Sequence, residues 1–418
     1  MNILNSFLRC RILLLMAALT AVGCDDGGEM RQPDNEQRAQ ELAQELIIVD
    51  THIDAPYRLT EEDVDVGAAT EGGDFDHPRA VAGGLNIPFM SIYVPASYQE
   101  TGGARQLADE LIDLVEGIVE RHPAKFALAA TVEQARGEVA RGKLVLAMGM
   151  ENGAPIEGDL ANVRHFYERG IRYITLTHSK SNEICDSSYD ENRQWNGMSP
   201  FGREVVAEMN RVGVMVDVSH VTDDAARQAI ALSTAPVIAS HSSCRRFTPE
   251  WERNVSDELI GLIADNGGVI QVNFGSGFIN EDYHRKWLAQ WDAFEQYVEE
   301  HQIESDSDEA KTFRDQYREE HPLELADVGD VADHIDHIVN LVGIDHVGLG
   351  SDFDGLGDSL PRGLSDVSQY PNLIRELLDR GYDEEAIAMI CSGNILRVWA
   401  EVERIARDSA TDGPSPSS

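Results

Sequence analysis

Six runs of this chain close on side chains that can ligate a metal or carry a proton. Ile47 to Asp54 ends on His52 and Asp54, Leu144 to Glu151 on Glu151, and Arg172 to His178 on His178. Val214 to His220 ends on His220, Pro236 to His241 on His241, and Val347 to Asp352 on Asp352. Four of the 13 histidines therefore stand at the ends of mostly apolar runs. Scattered surface histidines rarely do so. In His52-Ile53-Asp54 the two polar residues are two apart, and on a strand such residues share a face, so both can reach one cation. Glu151 offers two carboxylate oxygens and can bridge two metals. His220 and His241 end neighbouring runs and can share a second cation. Taken singly, each has a bland alternative: a polar strand end, a helix-capping Glu, a core His bonded to backbone. Taken together they form a nitrogen and carboxylate donor set without thiolate, which suits zinc, with manganese or cobalt as alternatives. Two such ions about 3.5–4 Å apart hold a hydroxide and polarise a carbonyl, which is the chemistry of amide or related hydrolysis.

The elements that must position these groups are short and regularly spaced. Besides the six runs, Leu85 to Val94 and Val269 to Phe274 read as strands. Nearly continuous apolar stretches such as Val214 to His220 fit parallel strands covered on both faces. Ser199-Pro200, Thr222-Asp223-Asp224 and Ser256-Asp257-Glu258 carry helix-start signals between them. About eight strand–helix units in this order predict a (β/α)8 TIM-type barrel, whose reactive groups sit at the C-terminal strand ends. One segment breaks the alternation. Residues 280–324 are charged and aromatic, with Trp287, Trp291, Phe294, Tyr297, Phe313 and Tyr317 at helical spacing. They read as a helical insertion before the last strand.

Length and charge narrow the class. The chain has 418 residues, with 34 Lys and Arg against 74 Asp and Glu, a net charge of −40. So acidic a surface repels phosphate backbones and anionic lipid, which argues against nucleic-acid binding. At the N-terminus, Arg9 and Arg11 precede the apolar run Ile12 to Val22. That run is short of the ~20 residues needed to span a bilayer and reads as a signal peptide over 1–23. Ala21-Val22-Gly23-Cys24 resembles a bacterial lipobox, which makes Cys24 the lipidation site and 24–40 a polar tether. The expected localisation is an exported lipoprotein of the bacterial cell envelope, on the periplasmic side of a Gram-negative host, with the membrane met through the lipid anchor alone. Residues 41–407 form the expected barrel domain, and 408–418, ending Pro- and Ser-rich, a disordered tail. Cys185, Cys244 and Cys391 imply no disulfide framework, though one pair could form in an oxidising compartment.

The motifs themselves are informative. Asp50-Thr51-His52-Ile53-Asp54, Gly149-Met150-Glu151-Asn152-Gly153, Tyr173-Ile174-Thr175-Leu176-Thr177-His178, Asp217-Val218-Ser219-His220, Ser240-His241-Ser242-Ser243, Arg253-Asn254-Val255 and Gly350-Ser351-Asp352-Phe353-Asp354-Gly355 occur in this order. Together they resemble the membrane (renal) dipeptidase family of the amidohydrolase superfamily, over Ile47 to Trp399. The resemblance implies a binuclear site with two zinc ions per chain: His52 and Asp54 on one, His220 and His241 on the other, Glu151 bridging. It also implies that Asp352 handles the proton of the attacking water, that His178 stabilises the oxyanion, and that Arg253 pairs with the free carboxylate of a dipeptide, including one with a C-terminal D-residue. A homodimer is compatible with it. The chain departs from the family after Val272-Asn273-Phe274, where Gly275 replaces an aromatic and removes a hydroxyl contact to substrate. Two other readings stay open: another amidohydrolase acting on a lactone, acyl-amino acid or cyclic amide, and a binding lipoprotein without catalysis. The first commonly needs a carbamylated Lys on the fourth strand, and Arg172 to His178 has none.

Overall fold

A computed structural model describes residues 35–411. Its nine strands are β1 Ile48–Ile53, β2 Leu85–Tyr93, β3 Phe126–Leu128, β4 Leu144–Glu151, β5 Ile171–Thr175, β6 Met215–Asp217, β7 Ile238–Ala239, β8 Val269–Val272 and β9 Val347–Leu349. All pairs are parallel in the order β1-β2-β4-β5-β6-β7-β8-β9, and a bridge between Ile53 and Phe353 brings the last strand back to the first. With the helices between them, these eight strands make a nearly closed (β/α)8 barrel. β3 lies off this path, pairing with Leu144 to Leu146 while β2 takes the next five residues of β4. Its three residues are too few to show a period, so nothing in the sequence marks it.

Strand alternation divides the core in two. Val49, Phe89, Val145, Ala147, Tyr173, Met215 and Val269 pack together with Trp399 of the helix Asn394–Thr411. Their neighbours Ile48, Met90, Leu146, Ile174 and Val216 belong to a second cluster that includes the surrounding helices. A barrel filled by its own side chains leaves the strand ends as the place for chemistry.

Several strands stop sooner than the sequence suggests. His178, His220, His241 and Asp352 lie two or three residues beyond the last paired residue of β5, β6, β7 and β9. Two buried carboxylates account for much of this. Asp217 Oδ1 accepts the N–H groups of Ser219 and Ser240, at 3.0 and 2.8 Å, and Asp50 Oδ1 accepts those of His52 and Ser351, both at 3.0 Å. Amides that could extend the ladder are thus bound by side chains. His220 and Asp352 also turn left-handed, at φ +68° and +65°, where no strand continues.

The helix caps are where the local signals put them. Ser199, Thr222 and Ser256 accept from the N–H groups of Gly202, Ala225 and Leu259. Between β8 and β9 run the helices Glu281–His301 and Asp308–Glu320, whose Tyr297 and Phe313 rings stack at 3.9 Å and 5°. Two boundaries shift. Asn35–Glu45 is a helix with Ala39, Leu42 and Ala43 buried, so residues 35–40 join the folded body instead of the tether. At the other end the last helix continues to Thr411, past the expected start of a tail at Asp408. The expected signal peptide, the expected lipidation site Cys24 and most of the expected tether lie outside the described residues. Cys185, Cys244 and Cys391 are all buried and free. Among the described residues no helix is long and apolar enough to cross a membrane.

Candidate active site

Pairing register sets the centre of the site. Tyr93 stands opposite Glu151, Glu151 opposite Thr175, and Thr175 opposite Asp217. Glu151, the last residue of β4 and 4% exposed, faces different donors with its two oxygens. Oε1 lies 3.1 Å from His220 Nε2, 3.2 Å from His241 Nε2 and 3.5 Å from His178 Nε2. Oε2 lies 3.5 Å from His52 Nε2, which is also 3.5 Å from Asp54 Oδ2 and 4.0 Å from Asp352 Oδ1. Three overlapping groups of donors could each hold an ion: His52, Glu151 and His241; Glu151, His178 and His220; His52, Asp54 and Asp352.

The far nitrogens of two imidazoles show which atoms are left for ligation. Tyr173 Oη donates to the Thr51 carbonyl at 2.9 Å, so at 2.8 Å it accepts from His52 Nδ1–H. That leaves His52 Nε2 as the atom facing the carboxylates, buried and with no hydrogen-bond partner. Likewise Ser240 Oγ donates to Asp217 Oδ2 at 2.5 Å and accepts from His241 Nδ1–H at 2.7 Å. Such partners on the non-ligating nitrogen fix tautomer and ring orientation in metal sites. Arg253 can only donate, and its Nη2 lies 3.1 Å from His220 Nε2, which therefore also presents a lone pair. Two lone-pair nitrogens 2.8 Å apart beside a carboxylate make an arrangement that a cation relieves. The donor set fits a metal.

Electrostatics divide the cluster. Burial alone would lower His52, but Tyr173, Glu151 and Asp54 outweigh it and raise it well above the usual range, so positive charge is favoured at that point. His220 and His241 are held well below theirs, first by burial and then by the positive groups Arg253 and His52, respectively. Burial would raise Glu151, yet the His52 and His178 charges and the bonds with His220 and His241 hold it well below. Asp352 is raised by burial and then by Asp54.

Close approach requires glycine twice. A Cβ on Gly149 would meet the Tyr173 ring at 1.9 Å, so that glycine makes room for the ring that holds His52. A Cβ on Gly355 would stand 2.3 Å from Asp54 Oδ2 and 2.6 Å from Asp352 Oδ1. Asp352 is steadied from its other side, where Asn273 Nδ2 donates to Oδ2 at 2.7 Å.

Every site residue expected within the described segment is near this centre, and Arg253 is among the buried ones. It is 2% exposed and lies beneath the Phe278 ring, 5.2 Å from its centroid, donating to Ser242 Oγ and the His241 carbonyl. Its Nε has no partner. Above the donors opens a cavity of about 480 Å³, walled in part by Tyr57, Tyr93, Tyr189, Phe278 and Leu356. The sequence reading missed these walls. Tyr93 ends a barrel strand and is found by the rule that found Glu151; Tyr189 sits on a loop and Phe278 in the one-turn helix Ser276–Ile279, neither with a local signal. At Gly275, a Cβ would come within 2.9 Å of Phe278 and 3.0 Å of Leu356, so those two residues fill the space beside the glycine.

Comparison with known proteins agrees with the geometry. The family model for membrane dipeptidases (peptidase family M19) matches residues 36–413. Dipeptidase aclJ of Aspergillus oryzae is 34% identical over 349 residues, covering 82% of this chain and 73% of its own length. Dipeptidase 3 of Mus musculus is 32% identical over 392 residues, 91% of this chain and 70% of that protein. Among solved structures, the probable dipeptidase PvdM from Pseudomonas aeruginosa matches with a TM-score of 0.76 at 28% identity, over 89% of this chain and 99% of that one.

Proposed function

Because the chain belongs to the membrane dipeptidase family, peptidase family M19, we propose that it is a binuclear zinc dipeptidase that cleaves free dipeptides, C-terminal D-residues included. One observation carries this reading: the two oxygens of Glu151 face separate donors, His52 on one side and His220 and His241 on the other. Zinc ions on His52 with Asp54 and on His220 with His241, bridged by Glu151, would activate a water and polarise the scissile carbonyl.

The remaining steps belong to the chain's own residues. Asp352, held by Asn273, takes the water's proton and returns it to the leaving amine. His178, 3.5 Å from Glu151 on the cavity wall, faces the oxyanion as the carbonyl becomes tetrahedral. Arg253 pairs with the substrate's α-carboxylate and so limits the enzyme to free dipeptides. A carbamylated-lysine amidohydrolase is disfavoured, since β5 contains no Lys and Glu151 occupies the centre. The reading includes an envelope location through lipidated Cys24, to be tested by membrane fractionation of Cys24→Ser.

The deciding experiment counts metal in the purified protein and compares free with C-terminally amidated dipeptides in wild type and Arg253→Met. About two zinc ions per chain are expected. Loss of a charge-assisted bond of about 1.5–3 kcal/mol should lower kcat/KM on free dipeptides roughly tenfold to a hundredfold or more, and on amides far less. Full activity after verified metal removal overturns the metal reading; equal losses on free and amidated substrates overturn the anchor.

A further inference from the structure

Beside the catalytic cavity lies a second space that the reaction itself does not use. It is a groove of about 740 Å³ between the helical insertion and the loop after Asp352, walled by Trp251, Phe278, Trp287, Leu323 and Leu356, with Arg318 and Asp358 as charged members of the lining. Phe278, Gly355 and Leu356 line both spaces. These three residues therefore form a wall that the groove shares with the active-site cavity. Its size lies within the range of small-ligand pockets, about 300–1,000 Å³. Its aromatics form a connected wall, with Trp251 4.9 Å from Phe278 and 6.4 Å from Trp287 between ring centroids.

The position of Arg253 tells which part of a dipeptide meets this partition. Its guanidinium lies under the Phe278 ring, and Phe278 is also a wall of the groove. A substrate carboxylate paired with Arg253 sits against that ring. The Cα of the C-terminal residue is one bond from its carboxylate, so with the carboxylate on Arg253 its side chain would leave the backbone at the Phe278–Leu356 edge. The amino-side residue lies across the scissile bond, toward the donors around Glu151. Gly275 adds no side chain at this edge, where Phe278 and Leu356 already crowd its Cβ direction.

We propose that this groove is the pocket for the side chain of the substrate's C-terminal residue, and that Trp287 and its neighbours select a large apolar side chain, above all an aromatic one. This rests on Arg253 as the carboxylate anchor. The insertion Glu281–Glu320, which supplies Trp287, is then a specificity element.

The test measures kcat/KM of the zinc-loaded protein on Ala-Ala, Ala-Phe, Ala-Trp and Phe-Ala, with the C-terminal residue supplied in both hands. Wild type should prefer Ala-Phe to Ala-Ala on the order of tenfold or more, from burial of an aromatic side chain. Trp287→Ala should collapse the Ala-Phe to Ala-Ala ratio while the Phe-Ala to Ala-Ala ratio holds. Leu323→Trp, which narrows the groove from another wall, should act against Ala-Trp most strongly. No preference for a large C-terminal residue in wild type, equal effects of the variants on all four substrates, or an effect confined to Phe-Ala would each overturn the proposal and leave the dipeptidase reading intact. If zinc-loaded wild type cleaves none of the four, it is the dipeptidase reading that has failed, and the groove's assignment falls with it.

Discussion

The barrel mouth and the helical insertion both gather ring side chains, but they hold them by different means. In the mouth, His52 and His241 are buried, and each is tied at Nδ1 to a hydroxyl that is itself tied to a further acceptor. In the insertion, Trp291 is 51% exposed, and Lys286 and Arg285 share Asp282 at 2.6 and 2.5 Å in open solvent. Such surface pairs contribute little. The mouth also keeps His220, Asp352, Asn152 and Asp354 at positive φ, a cost of order 1–3 kcal/mol each that the surrounding structure must hold in place. The difference teaches that the mouth is built for one geometry, whereas the insertion is a surface that can change its side chains without disturbing the chemistry.

That contrast can be broken most decisively at Glu151. Glu151→Gln should abolish turnover and lower bound metal, because an amide is a poor bridge between two cations; elemental analysis with a dipeptide assay checks both. Asp352→Asn should retain most of the metal and lower kcat by about 10²–10⁴, the usual worth of a positioned acid–base group. Near-normal turnover in that variant would make Asp352 structural. One layer further out, Ser240→Ala and Tyr173→Phe each remove the partner of an imidazole Nδ1. Metal affinity should weaken about 10- to 100-fold, as competition with a chelator would show.

His334 joins the two regions and gives the comparison a pH test. Its Nδ1 accepts from the Cys244 N–H at 2.9 Å, just past His241, and its Nε2 donates to the Ile279 carbonyl at 3.1 Å, just before the insertion. Burial lowers it to about 3, with the His337 charge acting the same way and the Ile279 bond opposing. Its folded value lies below the unfolded one of about 6.5. The unfolded chain therefore takes up the proton first as pH falls, and stability declines between about 6.5 and 3. Urea unfolding at pH 6.5 and 5 should differ by about 1.5 kcal/mol from this group, and His334→Phe should lose that part of the slope. An unchanged slope would remove His334 as the acid-sensitive pin. The smallest effect is expected in the insertion itself. Phe313→Ala breaks the stack on Tyr297 and should cost about 0.5–1.5 kcal/mol in thermal unfolding, with Ala-Ala turnover unaltered.

Much of the site was legible because its signals are local. His52 and Asp54 share a strand face by their spacing alone, and Ser199, Thr222 and Ser256 cap helices through bonds to N–H groups three residues on. Metal-capable residue types at strand ends point to hydrolysis whichever strands turn out to be neighbours. What failed was also physical. The strand ends were read too long because Asp50 and Asp217 capture amides that an apolar run would give to the ladder. Residues 35–40, the first turns of the helix Asn35–Glu45, were read as tether because their polar composition hides the burial of Ala39.

The amino-acid sequence by itself determined the donor types, their order along eight strands, and the helical character of the insertion, since each depends on residues a few positions apart. Only the tertiary structure decided which nitrogen of His52 faces the carboxylates. That depends on Tyr173, 121 residues away, and on Gly149 leaving space for its ring. It alone put Arg253 under Phe278 and set the groove against the cavity above the donors across a shared wall. Those contacts link loops that follow different strands, and no local pattern encodes a distance set by closing a barrel.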